Sequence, residues 1–113
     1  MMKVDKELLK GSTTMLILSL LKNEDMYGYK ITAELKAHSD GTFDLKEGTL
    51  YPLLHFLENN NYIDAYWVDA DSGRKRKYYK ITEIGLQLLV DKKNEWSIYS
   101  NAVNKVIGGV CFE

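Results

Sequence analysis

The stretch Gly73-Arg74-Lys75-Arg76-Lys77-Tyr78-Tyr79-Lys80 sets five of the chain's 15 basic residues, Arg74, Lys75, Arg76, Lys77 and Lys80, beside two tyrosines. The chain as a whole carries 16 acids and a formal net charge of -1. The concentration of positive charge is therefore local. Any polyanion this chain holds must be held by a patch, because its bulk charge attracts none.

Just upstream, residues 62–68 (Tyr-Ile-Asp-Ala-Tyr-Trp-Val) are rich in β-formers. They join the basic window through Asp69, Ala70, Asp71, Ser72 and Gly73, a dense run of turn residues. The spacing predicts a β-hairpin with a cationic tip. A lone hairpin is marginal in water and must pack on something. The preceding segment offers a support: Leu50, Leu53, Leu54 and Leu57 share a helical face and Pro52 suits a first turn. Asn59, Asn60 and Asn61 can end the helix, because asparagine tolerates the left-handed conformation. A helix followed by a basic hairpin is the arrangement of a winged helix-turn-helix, with the helix in the major groove and the wing on phosphates.

Working outward, Ser12 or Thr13 is expected to cap a first helix reaching about Lys22, with Leu16, Ile17, Leu20 and Leu21 as its stripe. A second helix is expected over residues 28–38, with Ile31 and Leu35 inward. Residues 42–45 alternate in the β sense and predict a brief third strand beside the hairpin. Past the hairpin, Thr82 is a natural N-cap with Glu83 behind it, opening a helix to about Ile107. Leu89, Trp96 and Val103 fall at heptad a, and Tyr99 and Val106 at d, with Lys92 the exception. That stripe has no partner inside so small a domain and points to a second copy. The expected fold is mainly α with a small antiparallel β-hairpin (α+β): a winged helix-turn-helix domain over residues 1–81, then a dimerisation helix and tail over residues 82–113.

At 113 residues and 45% hydrophobic composition the chain can bury one ordinary core. The single cysteine, Cys111, excludes an internal disulfide and the zinc spacings. The longest apolar run, residues 15–21, is broken by Ser19 and far too short to span a bilayer, and the first residues lack a secretory pattern. A cytoplasmic protein with no membrane segment is expected. No phosphate loop, catalytic triad, paired-carboxylate motif or metal cluster is visible, so neither an enzyme nor a cofactor is expected. His38 and His55 read as surface histidines.

Three stretches together resemble the PadR family of bacterial transcriptional regulators: Tyr27-Gly28-Tyr29, residues 48–54 (Gly-Thr-Leu-Tyr-Pro-Leu-Leu), and residues 73–82 (Gly-Arg-Lys-Arg-Lys-Tyr-Tyr-Lys-Ile-Thr). The likeness runs over roughly residues 8–106, and the length is similar to the short branch of the family, which includes multidrug-sensing members. It implies a homodimer, held by the C-terminal helices with help from the first helix, on an inverted-repeat operator in double-stranded DNA. A repressor is the expected role. The DNA-facing candidates are Tyr29, Lys30, Lys46, Thr49, Tyr51 and His55, with Arg74, Lys75, Arg76 and Lys77 on the wing. Some members sandwich flat aromatic drugs between tryptophans of the paired helices, and others respond to phenolic acids. Trp96 matches the tryptophan position, and Tyr99, Leu89 and Trp67 are the other candidates for such a pore. Two departures matter: Phe56 stands where a basic residue is usual, and Asn61 where glycine is usual. The third helix then has no cation beyond Lys46, so the wing and second helix must supply more of the charge.

Plainer accounts remain beside these. Lysines on an edge hairpin can simply block aggregation, although five cations ending in Tyr-Tyr exceed that need. Tyr51 could be a core tyrosine, but its position turns it off the leucine stripe toward phosphate or base. Trp96 could pack the dimer seam without binding anything, and Trp67 could be core or pore rim. As whole functions, the alternatives are a winged module that binds protein and a regulator with no small-molecule ligand. A sequence-indifferent DNA binder fits poorly with the overall acidity.

Overall fold

The computed structural model describes residues 6–109. It contains α1 (Lys6–Asn23), β1 (Met26–Tyr27), α2 (Gly28–His38), α3 (Glu47–Asn59), β2 (Ile63–Asp69), β3 (Lys75–Ile81) and α4 (Glu83–Asn104), with a closing π turn over Lys105–Gly109. The three strands form one antiparallel sheet in the order β1-β3-β2. This is a winged helix carrying a long C-terminal helix.

The first helix starts earlier than its hydroxyl residues suggest. Ser12 and Thr13 lie inside α1, and both hydroxyls donate to the Leu9 carbonyl, at 3.2 and 2.7 Å. Residue types that favour caps can also sit mid-helix when they bond back to the preceding turn. Thr13 is buried there without an orphaned hydroxyl. Pro52 likewise falls beyond the first turn, as the sixth residue of a helix that begins at Glu47. It therefore denies the Gly48 carbonyl its i+4 donor.

The strand expected at residues 42–45 does not form. Phe43 to Lys46 make no ladder, although Leu45 is buried and Phe43 packs against the core. The free edge of β3 is taken instead by Met26 opposite Tyr79 and Tyr27 opposite Tyr78. Buried Met26 secures that pairing from below.

Elsewhere local signals and structure agree. Ile31 and Leu35 of α2 and Leu50, Leu54 and Leu57 of α3 are buried. Asn61 adopts φ 62° just after α3, and the Asn61 and Tyr62 amides donate back to the Glu58 and Leu57 carbonyls. Those bonds satisfy carbonyls at the helix end. In the hairpin, Ile63 pairs with Ile81 and Asp69 with Lys75. Its loop closes with the Ala70 amide on the Arg74 carbonyl at 2.7 Å, Gly73 taking φ 82°. A left-handed residue there is what glycine allows without strain.

Thr82 caps α4, its hydroxyl accepting the Gly85 N–H at 3.0 Å. The helix is about 33 Å long at 1.5 Å per residue and gives the molecule a long axis of 63 Å. Leu89 corrects the heptad reading: it is only 2% exposed and belongs to the domain core with Ile17, Leu18 and Ile63. The helix packs on α1, and Trp96, Ile98 and Tyr99 farther along it are exposed.

Candidate nucleic-acid interface

Alternation along β3 sorts the basic window onto two faces. Lys75, Lys77, Tyr79 and Ile81 share one, which becomes the core; Arg76, Tyr78 and Lys80 share the other. On that outer face Tyr27, Tyr78 and Tyr66 sit side by side across the three strands. The Tyr27 and Tyr78 centroids are 5.4 Å apart and those of Tyr66 and Tyr78 are 5.8 Å apart, the latter pair nearly parallel. The Arg76 guanidinium lies over the Tyr27 ring at 4.4 Å. The Tyr66 hydroxyl donates to Asp25 Oδ2 at 2.5 Å. This bond foremost, helped by desolvation and the carboxylate charge, pushes the Tyr66 phenol up to about 12. The turn before β1 is thereby tied to the outer strand of the wing.

Between the wing, the start of α2 and one flank of α3 lies a cleft of 480 Å³. Tyr29, Tyr51, Trp67, Lys75, Arg76 and Lys77 contribute to its walls. Tyr51 leans on α2: a Cβ at Gly28 would stand 3.2 Å from its ring and hydroxyl. The close approach explains why a residue without a side chain opens α2 beneath an exposed tyrosine.

The structure thus gathers Tyr29, Tyr51, Lys75, Arg76 and Lys77 and leaves the other candidates around them. Lys46, Thr49 and His55 are exposed on α3 or at its N-cap, outside the cleft, and Arg74 is exposed at the hairpin tip. Lys30 is engaged with Glu24 at 2.6 Å, a bond that raises its pKa. Lys77 is engaged with Glu58 of α3 at 3.1 Å. Burial pushes the Tyr79 phenol up, with the Lys77 charge pulling against it. Trp67 is not core; it is 63% exposed and lines this cleft. Sequence reasoning passed over Asp25, Glu58 and the tyrosine row. The period-2 alternation of residues 75–81 was the available signal for the last of these.

A second cavity, of 660 Å³, lies between α1 and α4. Trp96 and Tyr99 line it with Met15, Ile98 and Ala102, their rings 6.3 Å apart. Lys92 and Glu95 pair at its margin at 3.4 Å. Leu89 does not line it. Among the described residues no three His, Cys, Asp or Glu side chains converge as metal ligands, and no helix is long and apolar enough to cross a membrane.

The sequence model of the transcriptional regulator PadR-like family matches residues 17–91. An uncharacterised protein of Lysinibacillus sphaericus is 34% identical over 107 residues, covering 95% of this chain and 98% of the relative. The transcriptional regulator YqjI of Escherichia coli is 27% identical over 85 residues, 75% of this chain but only 39% of that protein. Among solved structures, a transcriptional regulator from Clostridium thermocellum superposes with TM-score 0.84 at 33% identity, over 90% of this chain and 99% of that one. A PadR-like transcriptional regulator from Bacillus cereus gives TM-score 0.80 at 35% identity, over 92% and 99%.

Proposed function

The chain belongs to the PadR-like family of transcriptional regulators, and on that premise we propose that it is a homodimeric repressor of an inverted-repeat operator, released by a planar aromatic or phenolic ligand. The observation that carries the DNA part is the cleft joining Tyr29, Tyr51 and the cationic wing on one side of α3. Thr49 and Tyr51, with His55 behind them, enter the major groove. Arg74, Lys75 and Arg76 meet phosphates or the adjacent minor groove. Tyr29 and Lys46 flank the helix on the backbone, and Lys30 adds less because Glu24 already holds it. Phosphate contacts set register, and the few side chains at base edges set sequence.

Dimerisation through α4 supplies the two-fold axis, so the half-sites lie about one helical turn apart. The cavity beside Trp96 and Tyr99 becomes a pore when a second α4 covers it, and the flat ring of a ligand stacks on the indole. Such a ligand releases DNA only by favouring a different spacing of the two wings, since equal binding to both states shifts nothing. The role takes place in the cytoplasm, with the chromosome. Selection of duplexes from a random library, followed by footprinting, tests the reading. An enriched inverted repeat protected on both half-sites is expected; enrichment of no sequence, or of a single unpaired half-site, would overturn it.

A further inference from the structure

Lys77 and Glu58 are joined across the two elements that would meet DNA. Lys77 projects from the core-side face of β3, opposite Trp67 in register, and its Nζ reaches Oε1 of Glu58 in the last turn of α3 at 3.1 Å. The two side chains are 35% and 33% exposed, and the ammonium also stands 5.5 Å above the ring of Tyr79. Its neighbours behave differently. Among the described residues Arg74, Lys75 and Arg76 have no carboxylate partner, and all three are exposed. The helix α3 itself contains Glu47 and Glu58 but no lysine or arginine.

Two consequences follow from this charge distribution. An uncompensated Glu58 on the flank of α3 that faces the wing would repel any phosphate strand entering the cleft. A Lys77 already committed to that carboxylate, and two-thirds covered, is poorly placed to neutralise a phosphate as well. We infer that Lys77 and Glu58 are a positioning pair that sets operator discrimination: the ion pair fixes the pitch of the wing against α3, and with it the distance from the bases read by the helix to the phosphates held by Arg74, Lys75 and Arg76. Discrimination depends on both sets of contacts fitting one DNA geometry. A wing released from α3 could settle on phosphates of any sequence.

This rests on the DNA-binding reading above, and the experiment separates the two. The full-length parent, Lys77→Gln, Glu58→Gln, the doubly neutral Glu58→Gln/Lys77→Gln and the exchanged pair Glu58→Lys/Lys77→Glu are titrated against the selected duplex and against a scrambled duplex, each over a range of salt. For the doubly neutral variant, which leaves no bare carboxylate, the slope of log affinity against log salt should stay at the parent value. Were Lys77 instead neutralising one phosphate in each protomer, its loss would flatten the slope by ~2 units. The ratio of operator to scrambled affinity should fall roughly tenfold, the size that coupling between contacting charges produces. Glu58→Gln should release Lys77, steepen the slope and strengthen binding to the scrambled duplex. The exchanged pair should recover most of the parent ratio. A flattened slope for the doubly neutral variant with the ratio intact, or an exchanged pair no better than either single variant, would overturn the inference while leaving the protein a DNA-binding regulator. A parent that binds neither duplex would overturn the reading beneath it.

Discussion

Gly85 sits so close to Tyr62 that a Cβ on it would lie 2.1 Å from the Tyr62 carbonyl oxygen and 2.9 Å from the Ile81 side chain. The first turn of α4 is thus pressed onto the junction between α3 and β2. Thr82 bolts the contact from the other side: its hydroxyl lies 2.7 Å from the Asn61 carbonyl and 3.0 Å from that of Tyr62, while accepting the Gly85 N–H. The end of α3 and the start of α4 are therefore held together, which would link any partner of α4 to α3, the helix proposed to enter DNA.

Gly85→Ala cannot be absorbed by a rotamer change, because the obstacle is backbone. It should cost about 2 to 3 kcal/mol, the upper part of the range for overpacking. Thr82→Ala should cost about 1 to 2 kcal/mol through the lost cap, with Thr82→Ser close to the parent. Gly48→Ala, where nothing lies within 4 Å, should be neutral or stabilising by up to about 1 kcal/mol. Urea unfolding at one fixed protomer concentration gives all four values. A parent-like midpoint for Gly85→Ala would contradict the close approach.

The Tyr66 phenol, raised from 10.0 to about 12 by its bond to Asp25, makes an alkaline prediction. Its neutral form is the one the fold favours. The contribution is therefore fully present below the ordinary tyrosine pKa and is lost as pH rises through about 12. Titration of phenolate absorbance should show late ionisation from both Tyr66 and Tyr79, of which Tyr66→Phe removes the Tyr66 part and Asp25→Asn moves that part to lower pH. Late absorbance unchanged by both substitutions would contradict the bond to Asp25.

Leu89 and Trp96 share a heptad position, but Leu89 is core and Trp96 is exposed, so stability and association should be lost through different residues of α4. Leu89 is in the core, so Leu89→Ala should cost about 2 to 5 kcal/mol of stability and leave association intact. Ile98, 72% exposed on α4, should behave in reverse: the parent is expected to sediment as a dimer at micromolar concentration and Ile98→Glu as a folded monomer. A folded parent monomer at that concentration would remove the dimer and the inverted-repeat argument with it.

The same pair shows what the sequence carried and what it did not. Periodicity gave α2 and the inner face of α3, and turn chemistry gave the hairpin and the Thr82 cap, because each is specified by neighbours within a turn or two. A heptad stripe does not say where a helix leaves its domain, so one stripe faces core at Leu89 and solvent at Trp96. The strand at Met26 and Tyr27 is too short for any pattern and exists only through pairing with Tyr79 and Tyr78, far along the chain. In the candidate site, the run of cations marked the wing but hid the alternation that separates Lys77, held by Glu58, from Arg76, stacked on Tyr27.

For the wing as a whole, about three phosphates neutralised per protomer would give a log-log salt slope near -5 for the dimer. Replacing Arg74 and Arg76 together by alanine should flatten it by roughly one to a few units without altering which sequence is preferred. Isothermal titrations across salt concentrations measure both. An unchanged slope would take these two residues out of the interface.

Trp96 and Tyr99 converge in the cavity between α1 and α4, whose walls are mostly carbon, and planar dyes provide the probe. A cationic dye stacked on the indole face should gain about 1 to 2 kcal/mol when desolvated. Fluorescence is best followed in a Trp67→Phe background, since the second tryptophan lies in the other cleft and would report DNA instead. Titration with a planar cationic dye and with a phenolic acid should quench Trp96, and whichever binds should weaken operator affinity. Trp96→Ala, followed by dye fluorescence, should lose both effects while still dimerising through Ile98, Val106 and Ile107. Equal dye affinity and equal operator release with and without the indole would leave Trp96 as packing between subunits and put the effector site elsewhere.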